Sequence, residues 1–299
     1  MNLLITGAWG QAIEYIPLIE DMGHAVTFLQ QEKDALPCPP DWVEGVICNG
    51  LFLSHPIEVF SRLRYIQLTS AGFDRVPMEF IRRHGITIHN ARDVYSVPMA
   101  EHAVACALWF YRALGLFRKN QQAHLWEKRR DLRELMGKTV LIVGFGSVGR
   151  ACAERFSAMG CRVTAVDRHP GQVENGTPIR TTDELDTSLK EADIIVLSVP
   201  LTAQTLEMID DHALEQVKDG ALLINVSRGK IVETGALLRH LPRLMGAALD
   251  VFEEEPLPSD SPLWNFENVL ITPHNSFAGD GNEIRLNRLI MRHLANRSE

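Results

Sequence analysis

The sequence predicts an α/β protein built from two open parallel sheets. Short apolar runs alternate with amphipathic stretches almost from end to end, as strands and helices do in such folds. Many of the later runs are apolar nearly throughout, which is typical of strands that helices cover on both faces. The chain has 299 residues, which is enough for two domains with a core each.

Five strands and a long helix are predicted in the first part of the chain. Each strand is a short apolar run that a turn or a helical stretch follows, and together the five make one small sheet. The apolar positions then continue for roughly 20 residues, with Pro98 in the first turn, which predicts one long helix. The strands are predicted at residues 3–6, 25–29, 45–48, 65–68 and 86–88, and the helix at residues 98–118.

A second series of strands follows the long helix, and the helices between them show start signals. Thr181 and Glu184 fit a capping box. Asp210 or Asp211 can cap the next helix, and Thr234 the one after it. The strands are predicted at residues 139–143, 162–167, 194–199, 221–226, 246–250 and 269–272, and a last amphipathic helix at residues 280–296.

Composition and charge exclude several classes of protein. With 45% hydrophobic and 23% charged residues, the chain falls among globular proteins rather than disordered or fibrous ones. The net charge of −8 disfavours nucleic acid as a partner. The five cysteines contain no C-x-x-C pair, which favours free thiols in a reducing cytoplasm and predicts no metal site. We expect neither a membrane span nor a signal peptide.

The strongest local motif is a glycine loop between a predicted strand and a predicted helix. Gly144, Gly146 and Gly149 form G-x-G-x-x-G, which allows a tight turn, approach to a pyrophosphate and close helix packing. The helix N-terminus supplies an anion site. Asp167 ends the next strand, where a carboxylate binds ribose hydroxyls and repels a 2′-phosphate. Because Arg168 follows and an arginine can bind that phosphate, the motif favours NAD while NADP stays open.

Three further residues with side chains suited to catalysis follow predicted strands of the second series: Arg228, Glu255 and His274. The carboxyl ends of the strands in an open parallel sheet line one crevice, so residues distant in sequence can converge there. The histidine can transfer a proton near neutral pH, the glutamate can orient it, and the arginine can grip a carboxylate. Taken singly, each has a structural alternative: a surface ion pair, a solvated acidic run, and a core or capping histidine.

Several motifs occur along the chain in the order that one enzyme family shows. They are Thr69-Ser70-Ala71-Gly72-Phe73-Asp74, Pro98-Met99-Ala100-Glu101-His102, the glycine loop, Val199-Pro200-Leu201-Thr202, the run 225–229, the run 248–256 and Thr272-Pro273-His274. With them the chain resembles the D-2-hydroxyacid dehydrogenase family, specifically its NAD-dependent, D-isomer-specific branch, over nearly its whole length.

The resemblance implies a role for each of these segments. An arginine at the position of Arg228 binds the substrate carboxylate and carbonyl, Glu255 pairs with the histidine, and His274 is the acid/base. Backbone N–H groups of Ala71 and Gly72 also donate hydrogen bonds to the substrate carboxylate. The implied cofactor contacts are Gly144, Gly146, Ser147, Val148, Gly149, Asp167, Arg168, Val199, Pro200 and Asp250.

The resemblance also implies Rossmann-like or flavodoxin-like open sheets in two domains, with the active cleft between them. We expect residues 1–97 and 276–299 to form the substrate domain and residues 98–275 the NAD-binding domain. Dimers of the family use the nucleotide domain and its long leading helix, so a homodimer is expected. The implied activity is reversible hydride transfer between NAD(H) and a small 2-keto or (R)-2-hydroxy acid.

Two alternative functions stay open. One is an NADP(H)-dependent glyoxylate or hydroxypyruvate reductase, and the other is a non-catalytic NAD(H)-sensing binding protein, against which the intact proton-transfer set argues. The loop 49–53 carries no Lys or Arg to hold a phosphate, which favours a small or apolar substrate side chain. Leu51 and Phe52 either line the pocket or belong to the core. Two departures from the family are a short connection at residues 240–245 and Asn275-Ser276-Phe277 after the histidine.

Overall fold

The chain folds into two compact units, each with its own sheet. The computed structural model describes residues 1–172 and 176–296. Met1–Tyr95 and Gly279–Glu299 form the first, called the terminal unit below, and Ser96–Ala278 form the central unit. The boundaries expected from the sequence, 97/98 and 275/276, lie close to these. The substrate and cofactor roles expected of the two domains remain predictions.

The terminal unit is built on a parallel sheet. Its strands are β1 (Asn2–Thr6), β2 (Ala25–Leu29), β3 (Gly45–Cys48), β4 (Tyr65–Leu68) and β5 (Thr87–His89). Their order across the sheet is β2-β1-β3-β4-β5. These bounds confirm the predicted strands, with the first beginning one residue earlier and the last shifted by one residue. Every residue of β3 and β4 is buried, because apolar side chains cover both faces of the sheet.

The central unit has a larger sheet that is parallel except at one edge. Its strands are β6 (Thr139–Val143), β7 (Arg162–Val166), β8 (Gly171–Gln172), β9 (Pro178–Arg180), β10 (Ile194–Leu197), β11 (Leu222–Asn225), β12 (Gly246–Leu249) and β13 (Val269–Ile271). Their order is β13-β12-β11-β10-β6-β7-β9-β8, and β8 pairs with β9 antiparallel. The predicted runs are confirmed with slightly shorter ends. The sequence does not predict β8 and β9, because they are too short to show an apolar run.

Helices flank both sheets. They are α1 (Ala12–Asp21), α2 (Met78–Arg83), α3 (Ser96–Tyr111), α4 (Leu114–Gln122), α5 (Ser147–Ala158), α6 (Leu185–Glu191), α7 (Asp211–Gln216), α8 (Thr234–His240) and α9 (Asn282–Ala295). In the terminal unit, α9 buries Leu286, Ile290 and Leu294 in one cluster with Leu3 and Ile5 of β1. Over the described ranges, no helix is both long and apolar enough to span a membrane.

The single long helix predicted over residues 98–118 is wrong. The chain forms α3 and α4 instead, and the break lies at Ala113, whose φ of 51° is left-handed and cannot continue an α-helix. Tyr111, the last residue of α3, is buried. Because the apolar pattern continues through the break, periodicity alone gives no signal for it.

Two of the predicted helix starts are confirmed and one is wrong. The capping box of Thr181 and Glu184 is present. Asp210 caps α7 with its side chain. At α8, Thr234 is the first helical residue rather than the cap, and its N–H donates to the Glu253 carboxylate at 2.7 Å. A carboxylate from a distant loop therefore takes the place of a local cap.

The short connection at residues 240–245 folds as a compact turn. Leu241–Arg243 form a 3-10 turn, and Leu241 and Leu244 are buried. Arg243 donates to the Val217 carbonyl, which ties the turn to the end of α7. Both leucines belong to the core cluster of the central unit, so the short turn is packed into that core.

Candidate active site

The glycine loop joins β6 directly to α5. The helix begins with Ser147 and Val148, and Gly146 is its N-cap residue. Gly144 has a φ of 92°, which residues with a side chain rarely adopt. A Cβ at Gly149 would lie 2.1 Å from the Gly144 carbonyl oxygen. The glycines thus let the loop lie against the N-terminus of a 12-residue helix, and this is an anion-binding geometry.

Asp167 lies beside this loop, directly after β7. Its Oδ2 accepts a hydrogen bond from the Phe145 N–H at 2.7 Å, and its Oδ1 accepts one from the His169 N–H at 3.1 Å. The carboxylate is partly buried, while Arg168 is exposed. A negative charge is therefore fixed next to the glycine loop, where it suits ribose hydroxyls and repels a phosphate.

The residues after β10 pack against the same loop. A Cβ at Gly144 would lie 2.7 Å from Val199 Cγ1 and 2.9 Å from the Ser198 backbone. Ser198 Oγ donates to the Gly144 carbonyl at 2.8 Å. The structure thus brings the predicted contact Val199 to the loop, with Pro200 following it. Sequence reasoning missed Ser198, which its polar side chain directly after an apolar strand could have signalled.

Arg228 follows β11 in a loop that Asn225 organises. Asn225 Nδ2 donates to the Arg228 carbonyl at 3.0 Å, and Asn225 Oδ1 accepts from the Ser227 N–H at 3.0 Å. Arg228 is extended and partly buried, with φ −143° and ψ 145°. Its Nη1 donates to the Ser227 carbonyl at 2.8 Å. These bonds fix the arginine at the carboxyl end of the strand.

Gly229 brings the Arg228 loop onto the loop after β12. A Cβ at Gly229 would lie 1.8 Å from the Phe252 carbonyl carbon, a distance that no side chain tolerates. The Phe252 N–H in turn donates to Glu255 Oε1 at 3.0 Å. The loops that carry Arg228 and Glu255 are therefore in direct backbone contact.

Glu255 and His274 form a hydrogen-bonded pair. Glu255 Oε2 lies 2.7 Å from His274 Nδ1. Because an ionised carboxylate only accepts hydrogen bonds, Nδ1 carries a proton and Nε2 is left to exchange one with a ligand. The His274 side chain is 41% exposed, so a small molecule can reach it. The structure thus brings these two predicted residues together.

A buried carboxylate, that of Asp250, holds the loop of His274. It is 1% exposed and accepts from the Thr272 hydroxyl at 2.5 Å. It also accepts from the N–H groups of Asn275 and Ser276, both at 2.9 Å. The His274 N–H donates to the Asp250 carbonyl at 2.8 Å. Sequence reasoning missed this shaping of the loop, and the predicted contact of Asp250 with the cofactor remains a prediction.

Ala71 and Gly72 lie in the terminal unit, in the loop after β4. The Asn90 side chain donates to the Ala71 carbonyl at 2.6 Å, and Ser70 Oγ donates to the Gly72 carbonyl at 3.4 Å. Both bonds are accepted by backbone carbonyl groups of the loop. The use of its N–H groups to hold a carboxylate remains a prediction.

The neighbouring loop, after β3, is held by Glu32, which sequence reasoning missed. Glu32 accepts hydrogen bonds from the Asn49 N–H at 2.6 Å and the Gly50 N–H at 2.7 Å. Leu51 is fully buried, and Phe52 packs against the same core cluster. The structure therefore favours the core over a pocket for Leu51 and Phe52.

The five cysteines are free thiols, and most are buried. Burial raises the pKa of Cys106 and that of Cys152 to about 12, so these thiols stay protonated at neutral pH. In residues 1–172 and 176–296, no three His, Cys, Asp or Glu side chains are grouped to hold a metal ion. The cysteines are thus part of the packing rather than nucleophiles.

Known proteins with similar sequences are enzymes that act on 2-hydroxy acids. Residues 104–276 match the NAD binding domain of the D-isomer specific 2-hydroxyacid dehydrogenases. The chain is 37% identical over 234 residues to a glyoxylate reductase of Pyrococcus furiosus, an alignment that covers 73% of this chain and 68% of that protein.

Two solved structures are similar over almost the full length. One is a D-isomer specific 2-hydroxyacid dehydrogenase family protein from Aeromonas salmonicida, with a TM-score of 0.83, 29% identity and coverage of 99% and 96% of the two chains. The other is the D-lactate dehydrogenase of Aquifex aeolicus complexed with NAD and lactic acid, with a TM-score of 0.76, 26% identity and coverage of 98% and 94%. The chain therefore belongs to the D-isomer specific 2-hydroxyacid dehydrogenase family, and it is an NAD(H)-linked oxidoreductase of 2-hydroxy acids.

Proposed function

We propose that His274 is the acid and base with which this enzyme reduces a small 2-keto acid and oxidises the matching (R)-2-hydroxy acid. The observation that carries the proposal is the 2.7 Å bond between Glu255 and His274 Nδ1. It leaves Nε2 to give a proton to the keto oxygen in reduction and to take one from the hydroxyl in oxidation. Glu255 orients the imidazole and fixes which ring nitrogen carries the proton.

Arg228 is the proposed group for the substrate carboxylate and carbonyl. Its planar guanidinium can donate two parallel hydrogen bonds to a carboxylate, and its charge stabilises the negative charge that develops on the carbonyl oxygen. Asn225 holds the Arg228 carbonyl and the Ser227 carbonyl accepts from Arg228 Nη1, so both the backbone and the guanidinium have a hydrogen-bond partner at this position. The N–H groups of Ala71 and Gly72 are the proposed second hold on the carboxylate.

The glycine loop is the proposed cofactor site, and bound NAD(H) supplies or receives the hydride. Gly144 and Gly149 are proposed to suit a pyrophosphate, because without side chains they let the loop pack against Val199 and against the N-terminal part of α5. Asp167 would hold the ribose hydroxyls, and its charge favours NAD over NADP. Further proposed contacts are Gly146, Ser147, Val148, Arg168, Val199, Pro200 and Asp250.

The substrate side chain is proposed to be small or apolar. The loop 49–53 has no Lys or Arg, and it exposes 71% of Leu53. The names of two relatives, a glyoxylate reductase and a D-lactate dehydrogenase with lactic acid, make glyoxylate and pyruvate the first candidates.

Oxidation of NADH and NADPH against a panel of 2-keto acids tests this function. The panel contains glyoxylate, pyruvate, hydroxypyruvate, 2-oxoisocaproate and phenylpyruvate, with 3-phosphoglycerate and NAD as the control for the reverse direction. We expect the highest kcat/KM with NADH and one of the two smallest acids. A preference for NADPH with hydroxypyruvate would support the alternative reductase. Absence of turnover with every acid would favour a binding protein.

We further propose a homodimer in the cytoplasm. The segment after α4 exposes 50% of Leu125 and 93% of Trp126, an apolar surface that a second copy of the chain would cover. The free thiols suit a reducing compartment. Light scattering of the purified protein tests the proposal. A dimer that becomes a monomer in Trp126→Ser is expected, and a monomeric wild type would contradict it.

A further inference from the structure

A line of three polar side chains runs from α3 to the loop of His274. His102 Nε2 lies 3.4 Å from Thr272 Oγ1, and Thr272 Oγ1 lies 2.5 Å from Asp250 Oδ1. A hydroxyl has one proton to give, and the Asp250 carboxylate only accepts, so Thr272 donates to Asp250. The Thr272 oxygen then accepts from His102, whose Nε2 must carry a proton. The line therefore has a direction, from His102 to Asp250.

The surroundings of His102 keep its ring neutral. Burial lowers the pKa of His102, and the nearby Asp250 opposes the shift in part, so the ring is neutral at physiological pH. Cys106, one turn further along α3, lies near the same carboxylate, and burial and Asp250 together keep its thiol protonated. The imidazole of His102 is thus the group on α3 that donates toward Asp250 through Thr272.

The loop at the end of this line is under backbone constraint. His274 has a φ of 51°, a left-handed conformation that costs a residue with a side chain free energy. The conformation is held by bonds on both sides of it. The Asp250 carboxylate accepts the N–H groups of Asn275 and Ser276, and its carbonyl accepts that of His274. Loosening Asp250 therefore frees the backbone that aims the imidazole.

We propose that His102 is a positioning residue, which acts through the Thr272 hydroxyl to hold Asp250 and thereby the backbone of His274. The proposal rests on the proposed function of His274 as acid and base. His102 touches neither substrate nor cofactor in this role. Its hydrogen bond orients the Thr272 hydroxyl toward the Asp250 carboxylate, and that carboxylate holds the backbone of the loop.

Four single variants and one double variant test the proposal. His102→Leu removes the bond to the Thr272 hydroxyl, and Thr272→Val removes the hydroxyl itself, both at nearly constant side-chain size. Each is expected to lower kcat about tenfold, the order of one hydrogen bond. The KM for the keto acid should change less than about twofold, because Arg228 is untouched. His102→Gln and Thr272→Ser keep a donor and a hydroxyl, and they should retain most of the wild-type kcat.

The double variant distinguishes positioning from a general structural role. In His102→Leu with Thr272→Val, kcat should be no lower than in Thr272→Val alone, because His102 acts through the hydroxyl that is already gone. Three outcomes would overturn the proposal. The kcat losses of the two single variants could multiply in the double variant, His102→Gln could be as slow as His102→Leu, or the loss of kcat/KM could lie in KM. Should His102→Leu fail to fold, His102→Gln and the two Thr272 variants still decide it.

A second measurement is independent of activity. Backbone hydrogen exchange at Asn275 and Ser276 should be faster in His102→Leu and Thr272→Val than in the wild type, and near wild-type in Thr272→Ser. Unchanged exchange in the first two variants would overturn the positioning role. A wild type without turnover on any keto acid defeats the proposed function instead, and the exchange data then still test the line from His102 to Asp250.

Discussion

His274 Nδ1 lies 2.7 Å from Glu255 Oε2, and the other Glu255 oxygen accepts the Phe252 N–H at 3.0 Å. Both carboxylate oxygens are thus engaged, so the imidazole cannot rotate without breaking a charge-assisted bond. Because the Phe252 carbonyl touches Gly229, contacts continue from His274 to the loop of Arg228. Loops that follow three different strands are joined in this way into one arrangement of proton donor and proposed carboxylate binder.

The first prediction concerns the shape of the cation at position 228. Arg228→Lys keeps the charge, but an ammonium cannot form two parallel bonds to a carboxylate. We expect kcat/KM for the best keto acid to fall about 10- to 100-fold, which corresponds to the loss of one strong charge-assisted bond. Steady-state kinetics measure this. Near-normal kcat/KM in Arg228→Lys would show that the substrate carboxylate binds elsewhere.

The second prediction concerns cofactor choice. Asp167→Asn removes the negative charge while its side-chain oxygen can still accept from the Phe145 N–H. We expect the wild type to bind NADH more tightly than NADPH. In the variant the ratio of the two Kd values should be smaller, mainly because NADPH binds more tightly. Titration of cofactor fluorescence gives both Kd values. Arg168→Ala is the control, and it should affect NADPH alone. A wild type that prefers NADPH would contradict the role given to Asp167.

The third prediction tests the contact between two loops. In Gly229→Ala the new Cβ would meet the Phe252 backbone at 1.8 Å, so the loops of Arg228 and Glu255 must separate. We expect a loss of about 1 to 3 kcal/mol in unfolding free energy, as for overpacked sites, together with a large loss of kcat/KM.

Gly235→Ala is the matched control for this variant. The nearest atoms to a Cβ at Gly235 lie 3.5 Å or more away, and the residue is inside α8. Alanine should be neutral or stabilising there. Thermal unfolding and kinetics of the pair decide the matter, and equal behaviour of the two variants would show that the close approach at Gly229 carries no cost.

Strands, helices and loops that show a recognisable local pattern of residue types could be predicted from the sequence. Ile194–Leu197 is apolar and buried at every position, so the run itself indicates strand β10. The glycine loop is complete within residues 144–149, and its spacing predicts both the turn and the helix after it. The break at Ala113 leaves no such pattern, since apolar residues lie on both sides of it. Gly171–Gln172 is too short to show one.

Parts of the site that depend on long-range bonds from a side chain to the backbone could not be predicted. Glu32 binds N–H groups 17 and 18 residues away, and Asp250 binds N–H groups 25 and 26 residues away. Every residue except proline has a backbone N–H. The residue type of the donor therefore gives no signal in the sequence that a distant carboxylate binds it. Glu255 and His274 were expected to pair because family motifs surround them. Their catalytic roles stay predictions.

The pH dependence of both reaction directions tests the proposed pair of Glu255 and His274 most directly. Keto-acid reduction needs His274 protonated and should lose rate as pH rises, while hydroxy-acid oxidation needs it neutral and should gain rate over the same range. In Glu255→Gln the imidazole loses the carboxylate that fixes its orientation and its Nδ1 proton, so kcat should fall in both directions. His274→Ala should abolish the transitions and lower kcat on the order of 100- to 10,000-fold. Profiles in Glu255→Gln that coincide with the wild type, under conditions where hydride transfer limits the rate, would contradict the pair.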